Sequence, residues 1–345
     1  MMEGITKFLR SAVVGPLAAM LLAALAVSLS TDRFLQTQNL MNVSLQVSSV
    51  AIMAIGATIV ILTGGIDLSP GSAVAFITCM LAILVKLNGL PVVLGILLVL
   101  LLGAVLGFVN GILSTYGRIP SFVVTLATMS AYKGLAFLVT EGTPIFYVSP
   151  YLEPIFYGRF FGVPLPFYYV LVFYLIAVIF LRYTVSGRAI YAIGGNESAA
   201  RLSGIQVHRV RLLAFILAGL MAGVAGVLMA ARLNSGSPNY GAGMELQAIA
   251  AAVIGGASLT GGYGNIISTL FGALTVAVVQ NGLNLNAVPT AWQNITLGAI
   301  IALAVLVDMW RVEIGRGFRR AFGLLRGSRP SESQEVTTLS QGGTK

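Results

Sequence analysis

Ten apolar stretches, each about as long as a membrane helix, recur along almost the whole of this chain. A helix of about 20 apolar residues covers the roughly 30 Å of hydrocarbon in a bilayer. Only 9% of the 345 residues are charged, against about 25% in soluble domains, so charge cannot cover the surface of this chain in water. The sequence therefore predicts an all-α, polytopic membrane protein with about ten transmembrane helices. The stretches are 12–29, 43–62, 69–85, 91–113, 119–140, 166–182, 212–231, 244–260, 264–283 and 291–309.

Basic residues are distributed unevenly among the connections between these stretches. Cytoplasmic segments of membrane proteins carry an excess of Lys and Arg, which accounts for the net charge of +9 without a nucleic acid partner. If the N-terminus lies inside, the cytoplasmic segments hold most of the basic residues, and both termini are cytoplasmic. These residues are Lys7, Arg10, Arg118, Arg182, Arg188, Arg201, Arg209, Arg211, Arg311, Arg316, Arg319, Arg320, Arg326 and Arg329, whereas the outer connections hold Arg33, Lys86, Arg159 and Arg232.

The chain is predicted to form one transmembrane permease domain, 1–326, followed by a cytoplasmic tail, 327–345. The tail is rich in Ser, Gln, Thr and Gly and is predicted to be disordered, because such a composition offers little apolar surface to bury. Within the domain, the largest cytoplasmic connection is 183–211.

An internal repeat is indicated by two stretches about 170 residues apart, 106–120 and 275–289. Asn110 is followed by Gly111 in the first stretch, and Asn281 by Gly282 in the second, in each case near the end of an apolar run and shortly before a Pro. Five predicted spans separate the two stretches, so they would run in opposite directions, as in the inverted repeats of many transporters. The same offset relates the bent segments 61–73 and 232–243, which this topology places at the inner and the outer face.

Glycines at G-x-x-x-G spacing mark the faces along which helices approach closely. Gly103, Gly107 and Gly111 form one such row, and Gly219 and Gly223 form another. Small residues at this spacing let helix backbones approach closely in lipid. The rows therefore predict helix packing and not contact with a solute.

The first bent segment, I-L-T-G-G-I-D-L-S-P-G-S-A (61–73), places a carboxylate among glycines, serines and a proline. It is no phosphate-binding loop, because the chain contains no Gly-Lys pair. The pattern predicts a helix boundary in which Ser69 caps the following helix and Pro70 occupies its first turn. Asp67 is then expected to face water, to accept the free N–H groups of that helix, or to pair with Arg118.

Few residues offer chemistry inside the membrane. The chain has one Cys and one His, so neither a disulfide nor a Cys-based zinc site is predicted, and no catalytic residue, metal or cofactor. Among the charged residues, only Lys133 lies well within a predicted span. Two interpretations are open for it: it lines the pathway, or its side chain extends to the outer interface. Carboxylates are scarce in the middle of the predicted spans, and this argues against a proton- or sodium-coupled transporter.

The cytoplasmic connection 183–211 contains a predicted short helix. Asn196 suits an N-cap, Glu197 suits the positive end of the helix, and Gly204 suits its termination. A helix of about seven residues is roughly 10 Å long. Its apolar residues would form one small face suited to a groove in a partner protein, the alternative being a connector that rests on lipid headgroups. They are Ala199, Ala200, Leu202 and Ile205.

The same connection carries the resemblance that identifies a family. Its G-R-A-I-Y-A-I-G-G-N-E-S-A-A-R-L-S-G-I (187–205) resembles the coupling-loop signature of the ribose-type ABC sugar importer permeases. The resemblance extends, in the family's order, over most of residues 35–310. It includes I-L-T-G-G-I-D-L-S-P-G-S (61–72), P-S-F-V-V-T-L-A-T-M (120–129), the segment 231–262, which begins A-R-L-N-S-G-S-P-N-Y-G, and N-G-L-N-L (281–285).

The resemblance implies the membrane subunit of a binding-protein-dependent importer in a bacterial inner membrane. A cytoplasmic ABC ATPase would energise transport, a periplasmic sugar-binding protein would deliver the solute, and a second permease copy, identical or paralogous, would complete the pathway in the lipid bilayer. The implied solute is a small monosaccharide, with a nucleoside or a furanone-like signal as an alternative. The ATPase would bind a coupling helix that consists of Asn196, Glu197, Ser198, Ala199, Ala200, Arg201, Leu202, Ser203 and Gly204.

Candidate gate or pathway residues come from the polar positions of the predicted spans and of the bent segments. They are Asp67, Ser69, Asn110, Lys133, Glu245, Gln247 and Asn281. Two of them depart from the family's usual residues, since Gln247 stands where Asp is usual and Lys133 where Arg is usual. An ion-coupled secondary transporter, which belongs to a different functional class, is a remaining alternative. A membrane enzyme is not predicted, because the chain has no cluster of acid-base groups.

Overall fold

The computed structural model describes residues 13–326, and the chain is almost entirely helical within this range. The predicted all-α class is confirmed. The helices are α1 (Val14–Ser30), α2 (Thr37–Leu62), α3 (Pro70–Ala82, continued by a π-turn at Ile83–Leu87), α4 (Val92–Thr115), α5 (Ser121–Thr140), α6 (Glu153–Tyr157), α7 (Leu165–Tyr183), α8 (Val185–Gly195), α9 (Glu197–Leu202), α10 (Val207–Leu233), α11 (Met244–Ile254), α12 (Ile266–Leu285) and α13 (Thr290–Arg326). Two short antiparallel pairs join β1 (Ile145–Phe146) to β4 (Ser235–Gly236) and β2 (Arg159–Phe160) to β3 (Val163–Pro164).

Within residues 13–326, eight helices are long and apolar enough to cross a membrane. Two further helices are apolar but shorter, α1 with 17 residues and α11 with 11 residues. Together they agree with the ten predicted spans. Many large side chains on α4, α5 and α7 are exposed in the single chain, as expected for helices whose neighbours are lipid or another subunit.

The core is built around α2, because 89% of its most apolar window is buried. This helix packs against α7, α10, α11 and α12. Small residues allow the closest approaches: a Cβ atom on Gly107 would lie 2.2 Å from the backbone oxygen of Phe215, and one on Gly219 2.3 Å from that of Gly103. The predicted role of the G-x-x-x-G rows in packing α4 against α10 is confirmed.

The connections between helices divide into two groups, and the members of each group contact one another. At the coupling end, formed by 63–69, 116–120, 184–206 and 255–265, the Gly262 N–H donates to the Leu62 carbonyl at 3.0 Å. At the opposite end, formed by 31–36, 88–91, 141–164, 234–243 and 286–289, β1 pairs with β4. Successive spans therefore alternate between the two ends.

The two halves of the chain pack in corresponding ways, as an internal repeat requires. The offset of the repeat relates α2, α3 and α4 to α10, α11 and α12. In the structure α3 and α4 pack against α10, and the equivalent helices α11 and α12 pack against α2. The first long helix of each half thus packs against the next two helices of the other half.

The two bent segments contact each other, although they continue from connections at different ends of the helices. That they lie at the inner and the outer face stays a prediction. From the opposite end, residues 235–243 return inward along α3. A Cβ atom on Gly236 would lie 2.3 Å from the Thr78 carbonyl oxygen, and one on Gly241 2.2 Å from that of Gly71. The first turns of α3 and α11 therefore meet, since a Cβ atom on Gly71 would lie 1.9 Å from Glu245 Oε2.

The chain divides into two compact units, one up to Val305 and one from Leu306 onward. In the described residues the second unit is the remainder of α13, as far as Arg326. Lys7, Arg10, Arg329 and the predicted tail 327–345 lie outside the described residues.

Candidate coupling and pathway sites

The predicted short helix and its cap are confirmed. Helix α9 has six residues, about one fewer than expected, and the Asn196 Oδ1 atom accepts a hydrogen bond from the Ala199 N–H at 2.9 Å. Asn196 is itself extended, with φ −162°, as an N-cap residue should be. Gly204 follows the helix with φ +82°, a conformation that glycine adopts without steric cost.

A pair of arginines holds Glu197 at the start of α9. Its carboxylate contacts Arg201 at 2.9 Å and Arg211 at 2.8 Å. Partial burial of Glu197 opposes ionisation, but the hydrogen bonds and charges of Arg201 and Arg211 outweigh it and lower the pKa of Glu197 below its ordinary value of 4.5. Arg211 also donates to the Thr63 carbonyl at 3.4 Å. It therefore connects the short helix, the start of α10 and the end of α2.

The apolar residues of this helix do not form one face, contrary to the prediction. Ala200 is 4% exposed and packs with Ile193 and Val207 in the chain's own small core, whereas the Leu202 side chain is 90% exposed. A helix of six residues turns less than twice, so residues two positions apart point in different directions. The exposed surface of the helix consists of Ala199 and Leu202 with the polar side chains around them.

The backbone of α8 contacts the end of α2 directly. A Cβ atom on Gly194 would lie 1.9 Å from the Leu62 carbonyl oxygen and 2.3 Å from the Gly262 N atom. In addition, the Tyr191 hydroxyl donates to the Gly264 carbonyl at 3.1 Å. The segment that carries α9 is thus fixed to the connections that follow α2 and α11.

Asp67 is buried, with 4% exposure, and neither faces water nor pairs with Arg118. Its Oδ1 atom accepts from the Ser69 N–H at 2.9 Å and from the Ser69 hydroxyl at 2.7 Å. Ser69 occupies the N-cap position of α3, but its side chain makes no capping bond, which corrects the predicted role. Pro70 does occupy the first turn, as predicted. Arg118 instead lines a cavity of about 550 Å³ at the coupling end, with Glu197 and Arg211.

Asn110 extends this network into α4 and α5. Its side-chain N–H donates to the Ser69 hydroxyl at 2.8 Å, and its carbonyl oxygen accepts from the Thr128 hydroxyl at 2.7 Å. The Tyr132 hydroxyl lies 3.4 Å from the same oxygen. Thr128 and Tyr132 were missed by sequence reasoning, although Thr125, Thr128 and Tyr132 recur at helical spacing on one face of an otherwise apolar stretch, which is the signal that could have indicated them.

Asn281 makes the corresponding contact in the second half. Asn281 and Asn39 exchange hydrogen bonds of 2.9 and 3.0 Å between their side-chain amides, and both residues are buried. Polar pairs of this kind hold helices together where no water competes. Asn39, at the start of α2, was also missed, because its stretch was expected to begin at residue 43.

Lys133 and Glu245 line a cavity of about 230 Å³ between α3, α5 and the returning segment. The Lys133 ammonium donates to the Pro238 carbonyl at 2.7 Å, and Glu245 Oε1 accepts from the Gly243 N–H at 3.3 Å. Gln247 is half-buried on α11 and does not line this cavity. The candidate pathway residues therefore separate into two buried networks and one cavity. Among the described residues, no group of three or more His, Cys, Asp or Glu could hold a metal ion.

Comparisons with known proteins agree with this architecture. The family model described as the permease component of the branched-chain amino acid transport system matches residues 39–305. The ribose import permease protein RbsC of Escherichia coli (strain K12) is 42% identical over 296 residues, which cover 85% of this chain and 92% of the relative. RbsC of Bacillus subtilis (strain 168) is 41% identical over 297 residues, which cover 86% and 92%. The L-arabinose ABC transporter permease protein AraH of Azospirillum brasilense is 38% identical over 295 residues, which cover 86% of each chain.

No solved structure matches the chain. The matched region contains both buried networks, the cavity and the capped helix α9, whereas α1 and the end of α13 lie outside it. The resemblance inferred from the sequence motifs is confirmed. This multi-pass membrane protein belongs to the family of transport permease components that the branched-chain amino acid permease model describes, and within it resembles the ribose and arabinose permeases.

Proposed function

We propose that this chain is the membrane-spanning subunit of an ABC importer that carries a small monosaccharide across a bacterial inner membrane. The observation that carries the proposal is the capped helix α9, which is fixed to the membrane helices on one side and exposes Leu202 on the other. The names of the relatives at 38–42% identity supply the solute class, since they import ribose and L-arabinose. The family description supplies a competitor, a branched-chain amino acid.

In the proposed assembly a cytoplasmic ATPase subunit binds the coupling helix Asn196–Gly204 at the coupling end. Closure of the ATPase pair pushes on this helix, and its contacts with the ends of α2 and α10 transmit the movement to the spans. A second permease copy completes the pathway, and a periplasmic sugar-binding protein docks on the opposite end. Both termini then lie in the cytoplasm, as the distribution of basic residues predicts.

The chain performs no chemistry of its own in this mechanism. It lacks a nucleotide-binding loop, so ATP is hydrolysed by the partner subunit. Its buried carboxylate, Asp67, is occupied by Ser69 and positions the start of α3. Transport then depends on alternating access between two arrangements of the helices.

The test of the function is uptake in source cells from which the gene has been deleted. Restoring the chain is expected to restore uptake of ribose, arabinose or xylose, while uptake of labelled leucine stays unchanged. Restored leucine uptake without sugar uptake would contradict the solute class. Uptake that follows a proton or sodium gradient and continues without ATP would identify an ion-coupled transporter instead.

The test of the coupling site uses two exposed apolar residues. Changing Leu202→Ser removes the exposed anchor of α9, whereas changing Val185→Ser alters a 76% exposed residue at the start of α8. The Leu202 variant is expected to insert normally but to lose the co-purifying ATPase subunit, because exposed apolar anchors dominate interface energies. The Val185 variant should retain it. Equal retention by both variants would contradict the assignment of α9.

A further inference from the structure

The cavity lined by Lys133 and Glu245 lies where the two halves of the internal repeat meet. The first turn of α3 contributes Gly71 and Ser72, and the returning segment and the start of α11 contribute Gly243 and Glu245. In membrane transporters, solute sites lie at the interface of the repeats and are built from helices that begin inside the bundle. This arrangement depends on residues from both halves and is not a property of one loop.

The contacts of Glu245 show how tightly the two halves join there. A Cβ atom on Gly71 would lie 1.9 Å from Glu245 Oε2, so the carboxylate rests directly against the first turn of α3. That turn carries N–H groups without partners in the helix, and a negative charge is favourable beside them. Glu245 of the second half therefore lies against the first half of the chain at Gly71, while the Gly243 N–H of its own half donates to its Oε1 atom.

We infer that this cavity binds a neutral polyhydroxylated solute, a monosaccharide, on its way through the permease. The inference rests on the proposed function and names its solute contact. One of the three N–H donors of the Lys133 ammonium bonds to the Pro238 carbonyl. Its remaining donors, the acceptor oxygens of Glu245 and the hydroxyl groups of Ser72 and Ser130 offer the mixture of donors and acceptors that sugar hydroxyls need. The Tyr240 hydroxyl is shared with the Ser235 hydroxyl at 2.7 Å.

The charge and size of the cavity favour this solute class over ions. One ammonium and one carboxylate line it, so their formal charges cancel and neither an anion nor a cation is selected. The volume of about 230 Å³ is below the roughly 300–1,000 Å³ of pockets for drug-sized ligands. The Tyr240 ring adds an apolar face against which the C–H groups of a sugar can pack.

Site-directed labelling tests the inference without relying on transport. The chain has a single cysteine, Cys79, which is buried. In the assembled importer with Cys79→Ala, one variant carries Ser130→Cys in the cavity and a matched control carries Asn88→Cys on an exposed connection at the opposite end. D-ribose, L-arabinose and D-xylose are each added before N-ethylmaleimide, with leucine as the competing solute.

At least one of the sugars is expected to slow labelling of the Ser130→Cys chain and to leave the Asn88→Cys chain unaffected. Protection by leucine alone would overturn the inference and would support the amino acid alternative. If the wild-type importer takes up a sugar and no sugar protects the cavity, the inference is overturned while the proposed function stands. If the wild-type importer takes up no sugar, both are overturned.

A pair of lysine variants provides a second measurement. Lys133→Met removes the ammonium from the cavity, whereas Lys86→Met removes one that donates to the Phe146 carbonyl outside it. Loss of one hydrogen bond of about 0.5–1.5 kcal/mol corresponds to a roughly 2- to 12-fold rise in the KM for uptake. This rise is expected for Lys133→Met and not for Lys86→Met. Equal KM values for the two variants would overturn the inference.

Discussion

Two adjacent glycines at the end of α8 allow the attachment of the coupling helix to be tested with a minimal change. In Gly194→Ala the added methyl group would lie 1.9 Å from the Leu62 carbonyl oxygen and 2.3 Å from the Gly262 N atom. Both are backbone atoms, so no side chain can rotate away. In Gly195→Ala the methyl group would have no atom within 4 Å.

The two substitutions are therefore expected to have opposite effects on stability. Alanine is favoured over glycine in a helix by up to about 1 kcal/mol, a gain available to both variants. Overpacking costs about 1–3 kcal/mol, and rigid backbone neighbours place Gly194→Ala at the upper end of that range. The net expectation is a loss of about 1–2 kcal/mol for Gly194→Ala and a change between zero and a small gain for Gly195→Ala.

The assay compares thermal unfolding of the purified chains in detergent with uptake and ATP hydrolysis by the assembled importer. Gly194→Ala should lower the unfolding temperature and, because α9 follows within two residues, should reduce uptake more than ATP hydrolysis. Gly195→Ala should match the wild type in all three measurements. Identical behaviour of the two variants would refute the close contact between α8, the end of α2 and the connection after α11.

Three further changes test other contacts. Arg211→Gln breaks the contacts with both Glu197 and the Thr63 carbonyl, and the loss of about 1 kcal/mol of binding between these elements should reduce uptake about fivefold. Arg201→Gln breaks only a contact with Glu197, so its uptake should stay within about twofold of the wild type. Equal losses of uptake in the two variants would refute the link to α2. Asn110→Ala removes the two hydrogen bonds that join the Ser69 and Thr128 hydroxyl groups through α4 and should lower the free energy of unfolding by about 1–3 kcal/mol, measured by thermal unfolding, whereas no measurable loss would contradict the network. Because the pKa of Glu197 is lowered in the folded chain, its ion pairs stabilise the fold above the ordinary pKa of 4.5 and lose this effect as the pH falls through the folded value. The difference in unfolding temperature between the wild type and Glu197→Gln should thus shrink below about pH 4.5, and a difference that grows would contradict the pairing.

Much of this architecture was predictable from local sequence. The lengths of the apolar stretches predicted the spans, because a single segment in lipid can pair all its backbone N–H and C=O groups only by forming a helix. The cap at Asn196 and the first-turn position of Pro70 depend on a few neighbouring residues, so both were predicted correctly. The repeat was visible for the same reason, since Asn110-Gly111 and Asn281-Gly282 mark equivalent helices.

Errors arose where a residue's environment is supplied by a distant part of the chain. Ala200 could not be recognised as buried from its own helix, because Ile193 and Val207 cover it only after α8 and α10 fold back. Asp67 was expected to face water, to accept N–H groups at the start of α3 or to pair with Arg118, and the sequence could not decide that Ser69 occupies its carboxylate while Asn110 closes the network from α4. In each case sequence patterns gave the type of residue but not its partner.

The sequence by itself determined that this is a membrane permease with a short capped helix between two spans, since those properties depend on composition, helix length and short motifs. Only the tertiary structure decided that the two bent segments meet. Residues 235–243 have no helical periodicity to predict their course, and they return along α3 because Gly71, Gly236 and Gly241 let backbones approach without side chains between them. That approach, between residues about 170 apart in the chain, brings Lys133 and Glu245 into the lining of one cavity.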